Sequence, residues 1–563
     1  MSPSSFSLSI PYLTLLPHLC IVTSFLYLYF IHNSQKVSLV GVLLVSLLTF
    51  FSFPSLDRAS ELAVVPDSIE YAVIGKAFTS GAPIAIPILG ELFPSRYPFG
   101  FGAFFVAPAQ GLLRLQEHGV EILFSSLYVY LGFLAVYFIG AQIGGIGVGL
   151  LASAFLVSLP GYLVSGSELL TYTPSAALGV LFLCFLFFFA LWEKPSPLAL
   201  TGAAASLLLA TAARPLSIFI LVASTIALFF ILRMKLFRVR LITSIALIGA
   251  PSITLIGSYL LYNAAFFGTP FRSGYSFWCS IPYDVPSLLL NWKYLKTSGV
   301  DCLKSGAILL LLLPFLGVTL HRSSHGSESR NLMLFFVLVA SFFGIPLCIF
   351  HAVYFYPSPL FYLQATSLLT PLLASYAALV VSRAFPASHH KLTALLAASI
   401  ITAQVGVFYA RTNVETPRSN LVKEIVAKIP DGSLVVTGLD PVAFDYLIER
   451  LQPASSLRTL RSIPISRRVE YANKIVLKSP PEIELSSDDP FNHRSLELLT
   501  IGGREVVSVT ATTDLPYVVS EVSKSRAVYL ENCFTSDEER MKVTAPFKVT
   551  RITDSLVKLE APQ

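Results

Sequence analysis

The sequence predicts an α-helical polytopic membrane protein of about twelve spans with a C-terminal extracytoplasmic α/β domain. The first observation behind this prediction is the composition. Of 563 residues, 54% are apolar and only 13% are charged, and the mean hydropathy is +0.70. A soluble globular domain carries about 25% charged residues, so this composition excludes an ordinary soluble protein.

The second observation is how unevenly the charges are distributed. Forty of the 72 charged residues (39 Lys+Arg plus 33 Asp+Glu) fall in residues 412–563. We therefore predict a transmembrane domain over residues 1–411 and a soluble domain over residues 412–563. The basic residues form no stripe of the kind that binds nucleic acid.

Each predicted span is an apolar segment close to the length of about 20 residues that crosses a bilayer. The joint Ala213–Arg214–Pro215, between two of these segments, is either a tight turn or a kink. The segments lie near residues 8–31, 37–53, 119–140, 144–165, 172–192, 197–213, 215–232, 241–262, 305–320, 331–351, 360–382 and 391–409.

Basic residues in the short loops predict the orientation, since such loops stay in the cytoplasm. The strongest signal is the loop RMKLFRVR, residues 233–240. Placing it inside puts residues 54–118, 263–304 and 412–563 outside, in an inner (plasma) membrane. Cys279 and Cys302 then share an oxidising compartment, where they form either a disulfide or two free thiols.

The soluble tail alternates helical and strand-like patterns, which favours an α/β domain. SNLVKEIVAKIP and DPVAFDYLIERL have helical spacing, whereas DGSLVVTGL, NKIVLKS, REVVSVTA and AVYLENCF are typical of strands. The tail contains no phosphate loop, no GxSxG elbow and no metal-spaced set of Cys and His.

The long external loop 54–118 holds the first candidate site. Its segment PDSIEYAVIGKAFTSG predicts a short amphipathic helix on the membrane surface. Asp67 stands at the N-terminus, where it is either a helix cap or a functional carboxylate.

This segment, followed by SRYPFGFGAFFVAP, resembles the first external loop of the GT-C glycosyltransferases. The closest similarity is to the bacterial branch that includes protein O-mannosyltransferases and the lipid A aminoarabinose transferase. Asp67, Tyr71, Ala72 and the pair Tyr97-Pro98 match the pattern, although Ser68 stands where many relatives have a second acidic residue. LVSLPGYLVSGSELLTYTPSAALG, LLLATAARPLSIFI and YNAAFFGTPFRSGY extend the resemblance to about residue 275.

The resemblance implies that a sugar moves from a polyprenyl-phosphate donor to a hydroxyl of a glycan, lipid or protein acceptor on the external face, with inversion at the anomeric carbon. Such a reaction needs a general base and cations for the departing phosphate. The candidate carboxylates are Asp67, Glu70 and Glu168. The candidate substrate-binding residues are Tyr71, Lys76, Arg96, Tyr97, Arg214, Arg272, His351 and Tyr354.

Several of these residues also have structural interpretations. Lys76 and Arg96 can extend to lipid headgroups, and Arg214 can form a buried ion pair with Glu168. His351 and Tyr354 can anchor a span end as part of an aromatic belt.

The sequence contains no evident set of metal ligands. The carboxylates of Asp67 and Glu70 are nevertheless a candidate pair of ligands for a divalent cation. The alternative function is a multi-span transporter or flippase of a lipid-linked or small polar substrate. Transporters of this size commonly contain internal repeats, and the sequence shows no convincing similarity between its halves.

Overall fold

The computed structural model describes residues 10–31, 66–113 (without 83, 89 and 90), 123–191 (without 168), 196–231, 239–275, 290–323 and 327–414, together with parts of 424–560. Within these ranges five helices are long and apolar enough to cross a membrane, and two bent helix pairs raise that number to seven. Four shorter apolar helices accompany them. The count of twelve spans stays a prediction, and the predicted span 37–53 lies outside the described residues.

The long helices agree with the predicted segments in position. They are Leu123–Gly144, Tyr172–Ala190, Ile242–Phe267, Glu328–Ala352 and His389–Val407. The bent pairs are Trp292–Lys304 with Ala307–Leu320, at 76°, and Pro359–Ser367 with Thr370–Ala384, at 64°. The shorter apolar helices are Leu13–Leu28, Ile146–Ser158, Pro197–Ala213 and Pro215–Ile231.

The helix Tyr172–Leu191 is the centre of the bundle. Of the most apolar stretch of this helix, 94% is buried inside the protein, whereas only 17% of the corresponding stretch of His389–Val407 is buried. The central helix packs between Leu123–Gly144 and Pro197–Ala213. A helix that is apolar on all faces must be covered on all faces by protein or lipid, and here protein covers the central one.

The first external loop folds into two packed helices and a hairpin. The helix Pro66–Ser80 lies against a second helical segment, which passes through a π-helical turn, Gly102–Val106, into the helix Ala107–Leu113. Glycine permits the close packing, since a β carbon on Gly75 would lie 2.6 Å from that of Val106. The strands Ala85–Ile88 (β1) and Glu91–Pro94 (β2) pair antiparallel between the two helices.

The described part of the tail contains two sheets. The first has five strands in the order β4-β3-β8-β10-β9, with β3 parallel to both β4 and β8. The second is an antiparallel sheet in the order β5-β6-β7. The strands are Leu434–Val436 (β3), Arg458–Thr459 (β4), Ile475–Leu477 (β5), Leu496–Ile501 (β6), Arg504–Val509 (β7), Val528–Glu531 (β8), Lys548–Arg551 (β9) and Leu556–Glu560 (β10).

Four predicted strands in the tail coincide with β3, β5, β7 and β8. Of the two predicted helices, residues 424 and 427–428 are helical in the first, and the second lies outside the described residues. The α/β domain over residues 412–563 therefore stays a prediction.

A buried histidine connects the first apolar helix, Ile10–Ile31, to the external loop. His18 Nδ1 lies 2.7 Å from the Tyr128 hydroxyl, and Nε2 lies 2.6 Å from the Phe104 carbonyl oxygen in the π-helical turn. A neutral imidazole that donates through Nε2 and accepts through Nδ1 satisfies both contacts. One side chain thereby joins two membrane helices to the loop.

We expect His18→Leu to destabilise the protein, because it leaves a buried carbonyl and a buried hydroxyl without their partner. Each such loss costs about 1–3 kcal/mol. Tyr128→Phe should cost less, because only the Nδ1 contact is lost. Leu19→Ala, at a neighbouring position that is 52% exposed, is the matched control. Thermal unfolding in detergent measures the effect, and a wild-type midpoint for His18→Leu would contradict this role.

Candidate active site

Asp67 lies in the first turn of the helix Pro66–Ser80, directly after the proline that begins the helix. Proline at this position has the backbone angle that a helix needs and lacks the N–H that would have no partner there. The Tyr97 hydroxyl donates a hydrogen bond of 2.5 Å to Asp67 Oδ1. A bond this short is typical of a hydroxyl and a charged carboxylate, and it holds the carboxylate in one orientation.

Glu70 forms a buried ion pair with Arg96. Arg96 donates through Nε (3.0 Å) and Nη2 (2.8 Å) to Glu70 Oε1, and its backbone N–H donates to Oε2 at 2.9 Å. The Ser95 hydroxyl donates to Oε2 as well. Burial raises the pKa of the Glu70 carboxyl, and the charge of Arg96 opposes that shift.

These four donors use the full accepting capacity of the Glu70 carboxylate, which has about four lone-pair positions. The arrangement bears on two expectations from the sequence. Glu70 is engaged by Arg96 and does not stand open as a second base beside Asp67. For the same reason Asp67 and Glu70 do not form the open carboxylate pair that a divalent cation would need.

The ion pair with Glu70 also accounts for the position of the Arg96 side chain. Its side chain is 22% exposed and also lies over the Tyr97 ring, with the guanidinium carbon 5.4 Å from the ring centroid. The ion pair fixes the backbone at residues 95–96, so it also fixes the position of Tyr97. The phosphate-binding and headgroup-binding roles expected for Arg96 give way to a positioning role.

An aromatic cluster surrounds Asp67. The Tyr71 ring contacts the rings of Tyr97 and Phe101 at centroid distances of 5.0 and 4.8 Å, and Tyr275 meets Tyr97 edge-on at 5.4 Å. Gly274 permits this approach, because a β carbon there would collide with the Ser95 carbonyl. The segment FRSGY is thereby placed against the Glu70–Arg96 turn.

Arg214 occupies the joint between two helices, where the backbone is extended (φ −145°, ψ 112°) between Ala213 and Pro215. Its guanidinium carbon lies 4.7 Å from the ring centroid of Tyr172 and 5.3 Å from that of Phe361. Aromatic faces attract a cation and contribute up to about 2 kcal/mol when the pair is desolvated. A half-buried positive charge is accommodated here by two rings. The predicted ion pair of Arg214 with Glu168 stays a prediction, since Glu168 lies outside the described residues.

The site has two halves, one around Asp67 and one around Arg214. A buried amide, that of Gln364, connects the elements of the Arg214 half. Gln364 Nε2 lies 2.6 Å from the Ser217 hydroxyl, three residues after Arg214, and 3.3 Å from the Ser175 carbonyl. Gln364 is also three residues from Phe361, so the bond connects the element that carries the ring to the joint that carries the cation.

His351 lies beside Arg214 and is 4% exposed. Its ring stacks on Phe361 at 4.8 Å and contacts Tyr354 edge-on at 6.2 Å. Among the described residues, neither ring nitrogen of His351 has a hydrogen-bond partner. Buried polar atoms are nearly always hydrogen-bonded, so two such nitrogens indicate a place for a polar ligand or water.

Tyr275 connects the two halves. Burial raises the pKa of its hydroxyl well above the ordinary value, and the nearby Tyr354, Asp67 and Tyr172 add to that shift. The positive charge of Arg214 opposes it. Tyr275 therefore lies within electrostatic range of both Asp67 and Arg214. A carboxylate and a guanidinium that are 147 residues apart in sequence belong to one aromatic cluster.

The remaining candidates are placed less centrally. Lys76 is exposed, and its nine-residue separation from Asp67 puts it on the opposite face of their helix, at about 100° per residue. The substrate-binding role expected for Lys76 is thus not supported by its position. Arg272 is half-buried two residues before Gly274, next to the cluster.

Within the described ranges, no group of three or more His, Cys, Asp or Glu side chains could hold a metal ion. The residues that sequence analysis did not select are Tyr172, Tyr275, Phe361 and Gln364. Tyr275 ends the motif FRSGY, which was already notable for Arg272, so it could have been selected. Phe361 and Gln364 gave no signal, because only the folded chain brings them to Arg214.

Several solved structures are similar to this chain, whereas no protein-family model and no curated protein sequence matches it. ArnT from Cupriavidus metallidurans bound to undecaprenyl phosphate aligns with a TM-score of 0.52 and 12% identity, over 93% of this chain and 99% of its own. Apo ArnT gives 0.52 and 13%, over 93% and 98%. The chain has the GT-C fold.

The third structure is the archaeal oligosaccharyltransferase AglB from Archaeoglobus fulgidus. It aligns with a TM-score of 0.47 and 11% identity, over 72% of this chain and 63% of its own, which is too distant to carry an argument. The resemblance noted in the first external loop is confirmed at the level of the GT-C fold, over most of the chain.

We expect Glu70→Gln and Arg96→Met each to cost about 3–5 kcal/mol of stability, because each leaves a buried charge without its partner. The double variant should lose less than the sum of the two. Lys304→Ala is the control: its ion pair with Asp301, at 3.2 Å, involves a lysine that is 65% exposed, and exposed pairs contribute about 0–1 kcal/mol. Additive losses in thermal unfolding would contradict the pairing.

Proposed function

We propose that this protein transfers a sugar from a polyprenyl-phosphate donor to a hydroxyl group of a glycan, lipid or protein acceptor on the extracytoplasmic face of the membrane. The observation that carries the proposal is that Asp67, bonded to Tyr97, and Arg214, over the Tyr172 ring, border one aromatic cluster that includes Tyr275. A carboxylate and a guanidinium in one aromatic cluster supply the two charges that such a transfer needs. The GT-C fold supports the same conclusion.

Asp67 acts as the general base in this proposal. The acceptor hydroxyl loses its proton as its oxygen attacks the anomeric carbon, and a carboxylate within hydrogen-bond reach takes that proton. Tyr97 occupies Oδ1 of Asp67, which leaves Oδ2 to accept from the acceptor. The bond from Tyr97 aims the carboxylate, and the Glu70–Arg96 pair keeps Tyr97 in place.

Arg214 and His351 hold the donor phosphate. Negative charge grows on that phosphate as the bond to the sugar breaks, and cations placed in advance stabilise it. Arg214 brings a permanent charge with a planar fork of donors that matches phosphate oxygens. His351 adds a buried ring nitrogen that can donate a hydrogen bond. The similar ArnT structure contains undecaprenyl phosphate, which supports a ligand of this class.

The tyrosines define the space for the sugar. Tyr71, Tyr172, Tyr275 and Tyr354 combine an apolar ring with a hydroxyl, which suits a sugar that has both apolar faces and polar edges. Attack from the Asp67 side while the phosphate leaves toward Arg214 is a single in-line displacement. It inverts the configuration at the anomeric carbon.

The transporter alternative accounts for fewer of these features. A transporter does not need a carboxylate that a tyrosine orients, as Tyr97 orients Asp67, in the same cluster as a cation that can bind phosphate. The long external loop, with its two helices and buried ion pair, also serves a fixed reaction site better than an alternating pathway.

We expect Asp67→Asn to lower the transfer rate about 100-fold or more, because an amide cannot accept the proton. Asparagine keeps the shape of the side chain, and its amide oxygen can still accept the hydrogen bond from Tyr97, so folding should be retained. Lys76→Ala, on the opposite face of the same helix, is the matched control and should retain activity. Near wild-type transfer by Asp67→Asn in membranes would remove Asp67 as the base.

We expect Arg214→Met to reduce kcat/KM for the donor by about 100-fold, since the lost interaction is strongest in the transition state. Arg214→Lys should recover part of the loss, because it retains the charge without the planar fork. Arg272→Ala, measured beside it, tests whether the second arginine contributes to donor use. Kinetics at varied donor and fixed acceptor concentrations decide both, and an unchanged donor kcat/KM would exclude the arginine concerned.

A further inference from the structure

We propose that Cys302 and Cys348 form a disulfide bond that joins the helix Ser298–Lys304 to the helix Ile345–Ala352. Sequence analysis considered Cys279 as the partner of Cys302, or no bridge at all, and Cys279 lies outside the described residues. The structure gives Cys302 a different neighbour, because the helices Ser298–Lys304 and Ile345–Ala352 pack on each other and bring the thiols of Cys302 and Cys348 within interaction range. Both are present there as thiols.

The contact between the two thiols follows from a scaffold that does not depend on sulfur. The Ser298 hydroxyl donates to the Tyr354 carbonyl at 2.6 Å, and the Tyr362 hydroxyl donates to the Ser298 carbonyl at 2.9 Å. The Asn291 N–H donates to the Val353 carbonyl at 2.8 Å. These bonds fix how the external segment lies against the end of the helix Ile345–Ala352.

The spacing along both helices then brings the cysteines together. Cys302 follows Ser298 by four residues, so the two side chains lie on the same helix face. Cys348 precedes Tyr354 by six residues on the partner element. Ser298 therefore contacts Tyr354, just after the end of the helix Ile345–Ala352. Cys302, one turn further along its own helix, lies beside the part of Ile345–Ala352 that contains Cys348.

The surroundings of the two sulfurs differ in a way that suits oxidation. Cys348 is buried at 7% exposure, whereas Cys302 is half-buried and borders the hydrophobic core. In the predicted orientation the segment 263–304 faces the extracytoplasmic side, where disulfides form and persist. A buried thiol beside a more accessible one can act as the resolving partner.

The oxidant required is the disulfide of an extracytoplasmic thiol oxidase. The Cys302 thiolate attacks that disulfide and forms a mixed disulfide, releasing one thiol of the oxidase. The Cys348 thiolate then attacks the Cys302 sulfur, which forms the intramolecular S–S bond and releases the second oxidase thiol. The chain loses two electrons and two protons, and the oxidase gains them as two thiols.

The bridge would fix the end of the bundle that carries His351. Cys348 precedes His351 by three residues on the same helix, so a covalent bond to the external helix Ser298–Lys304 limits movement of that ring. The disulfide does not depend on the proposed reaction, since the two cysteines are paired by packing alone.

Peptide mapping of the full-length wild-type protein tests the proposal without any substitution. Cells are quenched with N-ethylmaleimide before lysis, and the purified protein is digested without reductant. We expect a peptide containing Cys302 linked to one containing Cys348, which separates only after reduction. Alkylation of Cys302 or Cys348 before reduction, or a link from Cys302 to Cys279, would overturn the proposal.

Thermal unfolding of cysteine variants provides a second test. If the bond exists, Cys302→Ser, Cys348→Ser and the double variant lose the same number of degrees, because each change removes the same single bond. Cys20→Ser, at a half-buried cysteine of the first apolar helix, is the control and should match wild type. Losses that add in the double variant indicate two independent thiols and refute the bridge.

Discussion

The buried ion pair between Glu70 and Arg96 is the constraint on which the rest of the site depends. A carboxylate that is 1% exposed is stable only if its charge is matched, and Arg96 together with the backbone at residues 95–96 provides that match. The pair fixes the turn before Tyr97, and Tyr97 in turn orients Asp67. Gly274 and Tyr275 pack on the same turn, so one electrostatic contact organises both sides of the first-loop cluster.

In the second half of the site the buried charge is positive, since Arg214 lies at a joint between two apolar helices. Here Tyr172 and Phe361 cover the guanidinium of Arg214 with their ring faces. Ring faces hold a cation without neutralising it. Among the described residues no acidic side chain forms an ion pair with Arg214, whereas the charge of Arg96 is balanced by Glu70. This contrast is why we assign phosphate binding to Arg214.

Much of the transmembrane part was predictable, because apolar segments of about 20 residues are typical of membrane-spanning helices. The first-loop helix was also predictable, and Asp67, Tyr71 and Tyr97 proved to be neighbours. The roles expected for Glu70, Lys76 and Arg96 stay predictions. The structure adds that Glu70 is buried against Arg96, a pairing that spacing along a helix does not reveal.

Contacts between distant segments were the part that sequence could not supply. Phe361 and Gln364 lie about 150 residues from Arg214 in sequence, and no local pattern marks them as its neighbours. The pairing of Cys302 with Cys348 was missed for a similar reason. From the sequence, Cys302 either pairs with Cys279 in the same loop or stays a free thiol, whereas folding brings a cysteine from a neighbouring helix to Cys302.

The most direct measurement of the central claim is the pool of lipid-linked sugars in cells that depend on this protein. A strain that lacks the chain is complemented with wild type or with Asp67→Asn, and lipid extracts are compared by mass spectrometry. The account predicts that one polyprenyl-phosphate sugar accumulates in the deletion strain and with Asp67→Asn, and that wild type removes it. Identical pools of polyprenyl-phosphate sugars in all three strains would contradict the account.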